Sequence, residues 1–222
     1  MAKHLERQID ILKQKILFVG TLVEEAIAKA ISALVNRDRN LAKQVIDEDS
    51  EIDRMEVDVE EEVLKILALY QPVAADLRFV VAVLKINNDL ERMGDLARNI
   101  AKRVVFLTNG EKIDLPEDLR PMATMAQKMV KESLDALVNA DTLLARRVRD
   151  ADDDVDNMRR KVQDFCEKQI AAQPQHTELL MRLLSVSRHL ERLADLATNI
   201  AEDVIYMIQG RDVRHPRIHK EQ

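Results

Sequence analysis

The sequence predicts an all-α fold of two tandem three-helix bundles related by internal duplication, and three observations lead there. The segment Leu90-Glu91-Arg92-Met93-Gly94-Asp95-Leu96-Ala97-Arg98-Asn99-Ile100-Ala101 returns one hundred residues later as Leu190-Glu191-Arg192-Leu193-Ala194-Asp195-Leu196-Ala197-Thr198-Asn199-Ile200-Ala201, identical at nine of twelve positions. Only four Gly and five Pro occur in 222 residues, with 46% hydrophobic, 33% charged and 3% aromatic residues, a composition that suits helices and leaves little for strands. Apolar residues recur at steps of three, four or seven over long stretches, which is the period of a helix with one buried stripe.

The duplication sets the domain limits. Ala33-Leu34-Val35-Asn36 matches Ala136-Leu137-Val138-Asn139, and Asp49, Asp53 and Met55 match Asp152, Asp156 and Met158. Gln71-Pro72 matches Gln173-Pro174, and Gly110 matches Gly210. The first repeat covers residues 1–112 and the second 115–212, leaving 213–222 as a polar C-terminal tail. In the first repeat the stripe Leu5, Ile9, Leu12, Ile16, Val19, Val23, Ile27 and Leu34 predicts one long helix. Asp38 is placed to cap a second helix carrying Leu41, Val45, Ile52, Met55, Val59, Val63 and Ile66, which stops near Tyr70 ahead of Pro72. A third helix runs from about Ala74 to Asn109, with Gly110 as its left-handed cap, and absorbs the strand-like run Phe79 to Leu84. In the second repeat Pro116 and Pro121 mark the entry, Asp141 replaces Asp38, Thr177 and Glu178 open the last helix and Gly210 closes it. Three long helices per repeat, joined by short turns, pack best antiparallel.

Charge and cysteine content narrow the function classes. A net charge of −6 argues against a nucleic-acid binder, which carries a basic excess or stripe. Cys166 stands alone and cannot make an intramolecular disulfide, and Met1-Ala2-Lys3-His4-Leu5-Glu6 lacks the apolar core of a signal peptide, so a cytoplasmic location is expected. The longest apolar run is far shorter than the roughly 20 residues that span a bilayer, so any membrane association is peripheral.

An apolar core can be kept by any Leu, Ile or Met, so the polar residues held in both repeats carry the functional information. With Glu91 set at zero and about 100 degrees per residue, Asp95 falls near 40 and Asn99 near 80, while Met93, Leu96, Ala97, Ile100 and Val104 cluster between roughly 140 and 240. This places an acidic stripe opposite the core, on a solvent-accessible face. Glu191, Asp195 and Asn199 repeat it, and Asp49 with Asp53, and Asp152 with Asp156, add acid pairs spaced by four on the preceding helices. Like charges at that spacing repel by a few tenths of a kcal/mol. Two readings are open: the acids hold a hard cation with an oxygen-only ligand set, or they are solvated and pair with Arg92, Arg98, Lys102 and Arg192.

Catalytic patterns are sparse. No Glu has a His three residues on, which removes the ligand set of the helix-bundle metalloenzymes. There is no glycine-rich phosphate loop and no His-Glu-x-x-His. His189 has Asp89 as its counterpart, which reads as a surface residue rather than a ligand.

The two copies of Leu-Glu-Arg-x-x-Asp-x-Ala-x-Asn-Ile, the turn Gln71-Pro72-Val73-Ala74-Ala75-Asp76-Leu77-Arg78, the acidic run Asp49 to Asp53 and the ending Gly210-Arg211-Asp212-Val213-Arg214-His215 closely resemble the PhoU family of bacterial phosphate-uptake regulators, over nearly the whole chain. The resemblance implies a regulator and not an enzyme. It implies a negative regulator of phosphate uptake and of the phosphate-starvation response, with the phosphate-specific ABC transporter ATPase and its sensor histidine kinase as partners. It further implies a homodimer, peripheral to the membrane through those partners. Acidic motifs of this family can hold metal, and the matching positions are Glu91, Asp95, Glu191 and Asp195, with Asp49, Asp53, Asp152 and Asp156 from the neighbouring helices; iron, manganese, magnesium, calcium and zinc remain open. The second repeat lacks the Asp-Leu-Arg of the Gln-Pro turn. Competing readings are a related metal-binding helical accessory protein with another partner and a carboxylate metalloenzyme.

Overall fold

The computed structural model describes residues 2–109 and 113–213. These form α1 (Ala2–Asn36), α2 (Arg39–Tyr70), α3 (Ala74–Leu107), α4 (Leu119–Asn139), α5 (Thr142–Asp150), α6 (Asp152–Ala172) and α7 (Thr177–Gln209), with a short 3-10 turn at Pro174–His176 and no strand among the described residues. Gly110 and residues 214–222, expected to cap the third helix and to form most of the tail, lie outside the described residues.

Local chemistry sets most boundaries. The Asp38 carboxylate accepts from the N–H groups of Asn40 and Leu41 at 2.9 and 3.0 Å, and Asp141 accepts identically from Leu143 and Leu144. Each cap satisfies donors that a helix start leaves without partners and contributes about 1 kcal/mol. At the other ends, Gln71 turns left-handed ahead of Pro72, and Gly210 does so after α7 while donating to the Tyr206 carbonyl at 2.8 Å.

One expectation fails. The middle helix of the second repeat is not continuous: α5 ends at Asp150, and α6 begins after Ala151. Arg147 and Arg149 occupy the last turn of α5, while Asp152, Asp153 and Asp154 fill the first turn of α6. Each charge set is favoured by the dipole of a helix end that a continuous helix would not have.

In the first repeat α1, α2 and α3 pack together along Leu12, Ile16, Val19, Val59, Val63, Ile86, Leu90 and Ile100, all buried. The second repeat packs α4, α5, α6 and α7 likewise, around Met122, Met129, Val162, Leu183, Leu190 and Ile200. The repeats join through α1 against α4 and, more extensively, α3 against α7. Lys85 on α3 meets Asp203 on α7 at 3.1 Å, and Arg103 meets Ser185 at 3.1 Å, so α3 and α7 run antiparallel. Position 85 corresponds to 185, and 103 to 203. The two contacts are therefore the same one, related by an approximate two-fold axis through the crossing. Cations over rings flank it on both sides, Lys85 over Tyr206 at 5.6 Å and Arg182 over Phe106 at 4.6 Å. No described helix is long and apolar enough to cross a membrane.

Candidate functional site

The eight acids singled out in the sequence gather as two sets of four, one along each seam between the middle and last helix of a repeat. α2 enters and α3 leaves the Gln71–Val73 turn, and the two helices pack side by side and antiparallel, so residues equally far from the turn stand level. Asp49, Asp53, Glu91 and Asp95 meet in this way, as do Asp152, Asp156, Glu191 and Asp195 where α6 runs beside α7. The expectation of a stripe opposite the core needs correction: the acids flank the core. Asp49 is only 6% exposed, and Glu91, Asp95, Asp152, Asp156 and Glu191 are half-buried, while Asp53 and Asp195 are exposed. A face that one isolated helix presents to water is here the edge of a helix-helix contact.

The two seams differ in their cations. In the first, the Arg98 guanidinium lies between the helices, one nitrogen donating to Asp49 on α2 and the other paired with Asp95 on α3. Burial still pushes the Asp49 carboxyl above its ordinary range, against the pull of Arg98 and with Asp53 and Asp95 adding to the rise. Burial likewise raises Glu91, helped by Asp95, Asp53, Glu56 and Asp49. The fully buried Asn87 ties the seam from below, its side-chain nitrogen donating to the Glu56 carbonyl at 2.9 Å.

In the second seam position 198 is threonine, and the arginine is Arg159 on α6, the counterpart of Glu56, which pairs with Glu191 at 2.8 Å. Asp152 and Asp195, the counterparts of Asp49 and Asp95, face one another without a guanidinium between them. Burial first, then Asp195, Asp156 and Asp153, push the Asp152 carboxyl up to about 6. The Thr198 hydroxyl lies close enough to favour ionised Asp152, yet its oxygen is buried without a well-directed hydrogen bond.

Between the repeats, at the α3–α7 crossing, a groove of about 590 Å³ is lined by Arg92, Asp95, Asn99 and their counterparts Arg192, Asp195, Asn199, with Leu96 and Leu196 at its floor. This accounts for Arg and Asn in both copies of the repeated segment. Asp95 and Asp195 belong to the groove and to a seam each, so both seams open onto it.

Sequence reasoning named Arg98 as an ion-pair partner of the acids along its own helix and missed its reach across to Asp49; it missed Arg159, Glu56 and Thr198 as seam residues. The signal that could have found them is difference between repeats at otherwise repeated positions, since Glu56 became Arg159 where Arg98 became Thr198. His189, expected at the surface, is half-buried. Its Nε2 lies 3.2 Å from the Ser185 hydroxyl, and burial, then Arg103 and Arg192, lower its pKa to about 4, so it is neutral. Cys166 is buried, and burial, then Glu167, push its thiol up to about 11, which leaves it a poor nucleophile.

Among the described residues no three carboxylate, histidine or thiolate groups stand together as a ready cation cage. The first seam does not fit a metal as it stands, because Arg98 fills the space between its helices. The second fits better: it offers carboxylates from two helices, the Thr198 hydroxyl beside Asp152, and Arg192 acting on Asp195 only from its own helix.

Comparison with known proteins decides the family. The PhoU domain profile matches residues 16–104 and 119–204, one match to each repeat. The chain belongs to the PhoU family. A phosphate-specific transport system accessory protein PhoU homolog from Aquifex aeolicus is 37% identical over 96% of this chain and 97% of its own, and one from Pseudomonas aeruginosa is 35% identical over 97% and 89%. The crystal structure of PhoU from Pseudomonas aeruginosa superposes with a TM-score of 0.90 at 35% identity, covering 93% of this chain and 99% of that one. That of the phosphate transport system regulatory protein PhoU from Streptococcus pneumoniae gives 0.83 at 29% identity, covering 94% and 99%. The all-α fold of two repeats is thus the PhoU fold, and both seams lie within the matched segments.

Proposed function

We propose that this chain is an accessory protein of a phosphate-specific transport system and a negative regulator of phosphate uptake and of the phosphate-starvation response. It acts on the transporter's ABC ATPase and on the associated sensor histidine kinase, in the cytoplasm, as a homodimer held to the membrane only through those partners. The observation that carries this reading is the match of both repeats, over nearly the full length, to relatives named for phosphate-specific transport. Surface chemistry supports action through protein contacts: Leu69, Val73 and Leu77 lie exposed around the α2–α3 turn, an apolar tip that costs solubility unless a partner covers it.

The candidate cation ligands are Asp152, Asp156, Glu191 and Asp195 as they stand, and Asp49, Asp53, Glu91 and Asp95 once Arg98 has swung aside. A bound hard cation supplies a cross-link between two helices and relief of carboxylate repulsion. These are structural effects, and they suit a regulator.

Deleting the gene tests the regulatory reading. Phosphate-starvation reporters should switch on in phosphate-rich medium and return to silence when the wild-type chain is restored. Reporters that stay off in the deletion strain overturn it.

A further inference from the structure

The crossing of α3 and α7 has two equivalent halves, and their charges do not match. In one, Lys85 pairs with Asp203 and Arg92 with Asp89, so two cations face two carboxylates. The two-fold relation carries these residues onto Ser185, Arg103, Arg192 and His189. Both carboxylates are gone from the second half, where an arginine stands for Asp203 and a neutral histidine for Asp89. Asn88, which lines a cavity of about 470 Å³ in the first half with Lys85, Asp89, Asn199 and Asp203, becomes Arg188. Among the described residues Arg103, Arg188 and Arg192 make no ion pair: Asp195 feels Arg192 only from its own helix, and Asp95 is taken by Arg98.

Hydrogen bonds order the donors of this basic half. The Arg103 Nε–H donates to the Ser185 hydroxyl oxygen at 3.1 Å, and that oxygen lies 3.2 Å from His189 Nε2. An arginine can only donate, so the serine hydrogen is left for Nε2, and the ring proton of the neutral histidine sits on Nδ1. Nδ1 is buried without a partner, a donor lacking an acceptor. Anchored through Nε, Arg103 keeps both terminal nitrogens without a protein acceptor among the described residues.

We propose that the basic half of the crossing binds a small tetrahedral oxyanion such as inorganic phosphate, held between Arg103 on α3 and Arg188 and Arg192 on α7, with Asn99 and the His189 Nδ1–H beside them. Guanidinium forks match the oxygens of such an ion in pairs, and three of them supply the charge that a dianion needs. Access is present, since Asn99 and Arg192 also line the groove of about 590 Å³. The inference stands apart from the cation reading, because its donors are cationic and none of the eight acids takes part. An anion here ties α3 to α7 at the contact that joins the repeats, so binding should raise the stability of the whole chain.

The test titrates the full chain with inorganic phosphate against sodium chloride of equal ionic strength, in chelator so that no metal bridges phosphate to the acidic seams. Calorimetry reads affinity and melting reads the shift in Tm. Wild type should bind phosphate and gain more Tm from it than from chloride. Arg103→Gln and Arg192→Gln should each weaken binding roughly tenfold or more, since each removes a charge-assisted pair. Lys85→Gln, in the balanced half, should leave affinity within about twofold of wild type. His189→Asp, which returns a carboxylate to the position it holds in the other half, should abolish the phosphate-induced rise in Tm. Arg188 and Arg192 are exposed, so Arg188→Gln and Arg192→Gln keep the fold and decide the matter if Arg103→Gln or His189→Asp does not fold. A rise in Tm no greater with phosphate than with chloride overturns the proposal. So does phosphate affinity that survives Arg188→Gln and Arg192→Gln together, or that falls equally on Lys85→Gln. The regulatory reading is untouched by either failure, because the reporter strains test it separately.

Discussion

The two acidic seams share an origin and a geometry and differ in where the positive charge sits. In the first it comes from α3, as Arg98, and spans the helices to the buried Asp49; in the second it comes from α6, as Arg159, and pairs with Glu191. The apolar residues beneath hardly differ, since Leu90 and Leu190, Ala97 and Ala197, and Ile100 and Ile200 are all fully buried. Duplication has preserved what packing demands and let the charges rearrange. The difference teaches that a core constrains volume position by position, whereas a half-solvated seam constrains only the local balance of charge.

The largest expected effect is therefore one that the repeats share. Leu90→Ala and Leu190→Ala each remove a fully buried side chain and should cost about 2–5 kcal/mol, through lost transfer energy and the cavity left behind. Urea denaturation should place the two variants within about 1 kcal/mol of each other. A wide gap would break the view that the cores are equivalent.

Arg98→Met and Arg159→Met should separate the repeats. Asp49 is 6% exposed, and losing Arg98 leaves its carboxylate buried without a cation, at a cost on the order of 2–3 kcal/mol. Both side chains of the Arg159–Glu191 pair are a quarter exposed, so Arg159→Met should cost about 1 kcal/mol or less. Both are to be measured in chelator, and equal losses would mean that water reaches the two seams alike.

Positions 89 and 189 sharpen the comparison through pH. Burial first, with Asp203 adding, pushes Asp89 up to about 6 against the pull of Arg92 and Lys85. Between its ordinary 3.8 and about 6 the folded chain holds the proton that the unfolded chain has lost, so this group's contribution improves as pH falls through that window. His189 behaves oppositely. It stays neutral down to about 4 while an unfolded histidine protonates below 6.5, so stability is lost as pH falls from 6.5 towards 4. Asp89→Asn should thus stabilise the chain above pH 6 by on the order of 1 kcal/mol, less than a two-unit shift implies because Arg92 loses its partner. His189→Gln should flatten the acid limb of the stability curve. Melting curves from pH 4 to 8 in chelator check both, and parallel curves for the two variants would refute the opposed signs.

How much of this could be read from sequence depends on what each feature requires. Caps at Asp38, Asp141 and Gly210 depend on the residue and its immediate neighbours, and repetition marks them twice. The meeting of acids from two helices follows from hairpin geometry, because Asp49 and Asp95 stand equally far from the turn. The burial of Asp49 was not legible, since a helical-wheel argument on one helix cannot tell a solvent face from the margin of a helix-helix contact. Nor was the break at Ala151, where Asp152 to Asp154 looked like a repeat of the first unit's acidic run and only the charges on both sides of Ala151 favour two helix ends. Side-chain reach decided the rest. Arg98 is long enough to cross the seam and Arg159 has Glu191 nearer to hand, which spacing along the chain does not express.

The smallest expected effect tests whether cores are conserved position by position or as a sum. A Cβ added to Gly94 would stand 3.0 Å from Ile52 Cδ1 and 3.2 Å from its Cγ2, so α3 approaches α2 closely there. The second repeat has Ala194 and Val155 at these positions, one carbon more on the last helix and one fewer on the middle helix, both fully buried. Ile52→Val alone should cost about 0.5–1.5 kcal/mol. Gly94→Ala alone trades a helix-propensity gain of about 1 kcal/mol against compression of Ile52, so its net effect should be small. Combined, the two recreate the second repeat's solution, and the double variant should exceed the sum of the single effects by at least about 0.5 kcal/mol. Additivity to within about 0.3 kcal/mol would show that Ile52 moves aside freely, and the exchange between repeats would then reflect drift at two independent sites and no compensation between them.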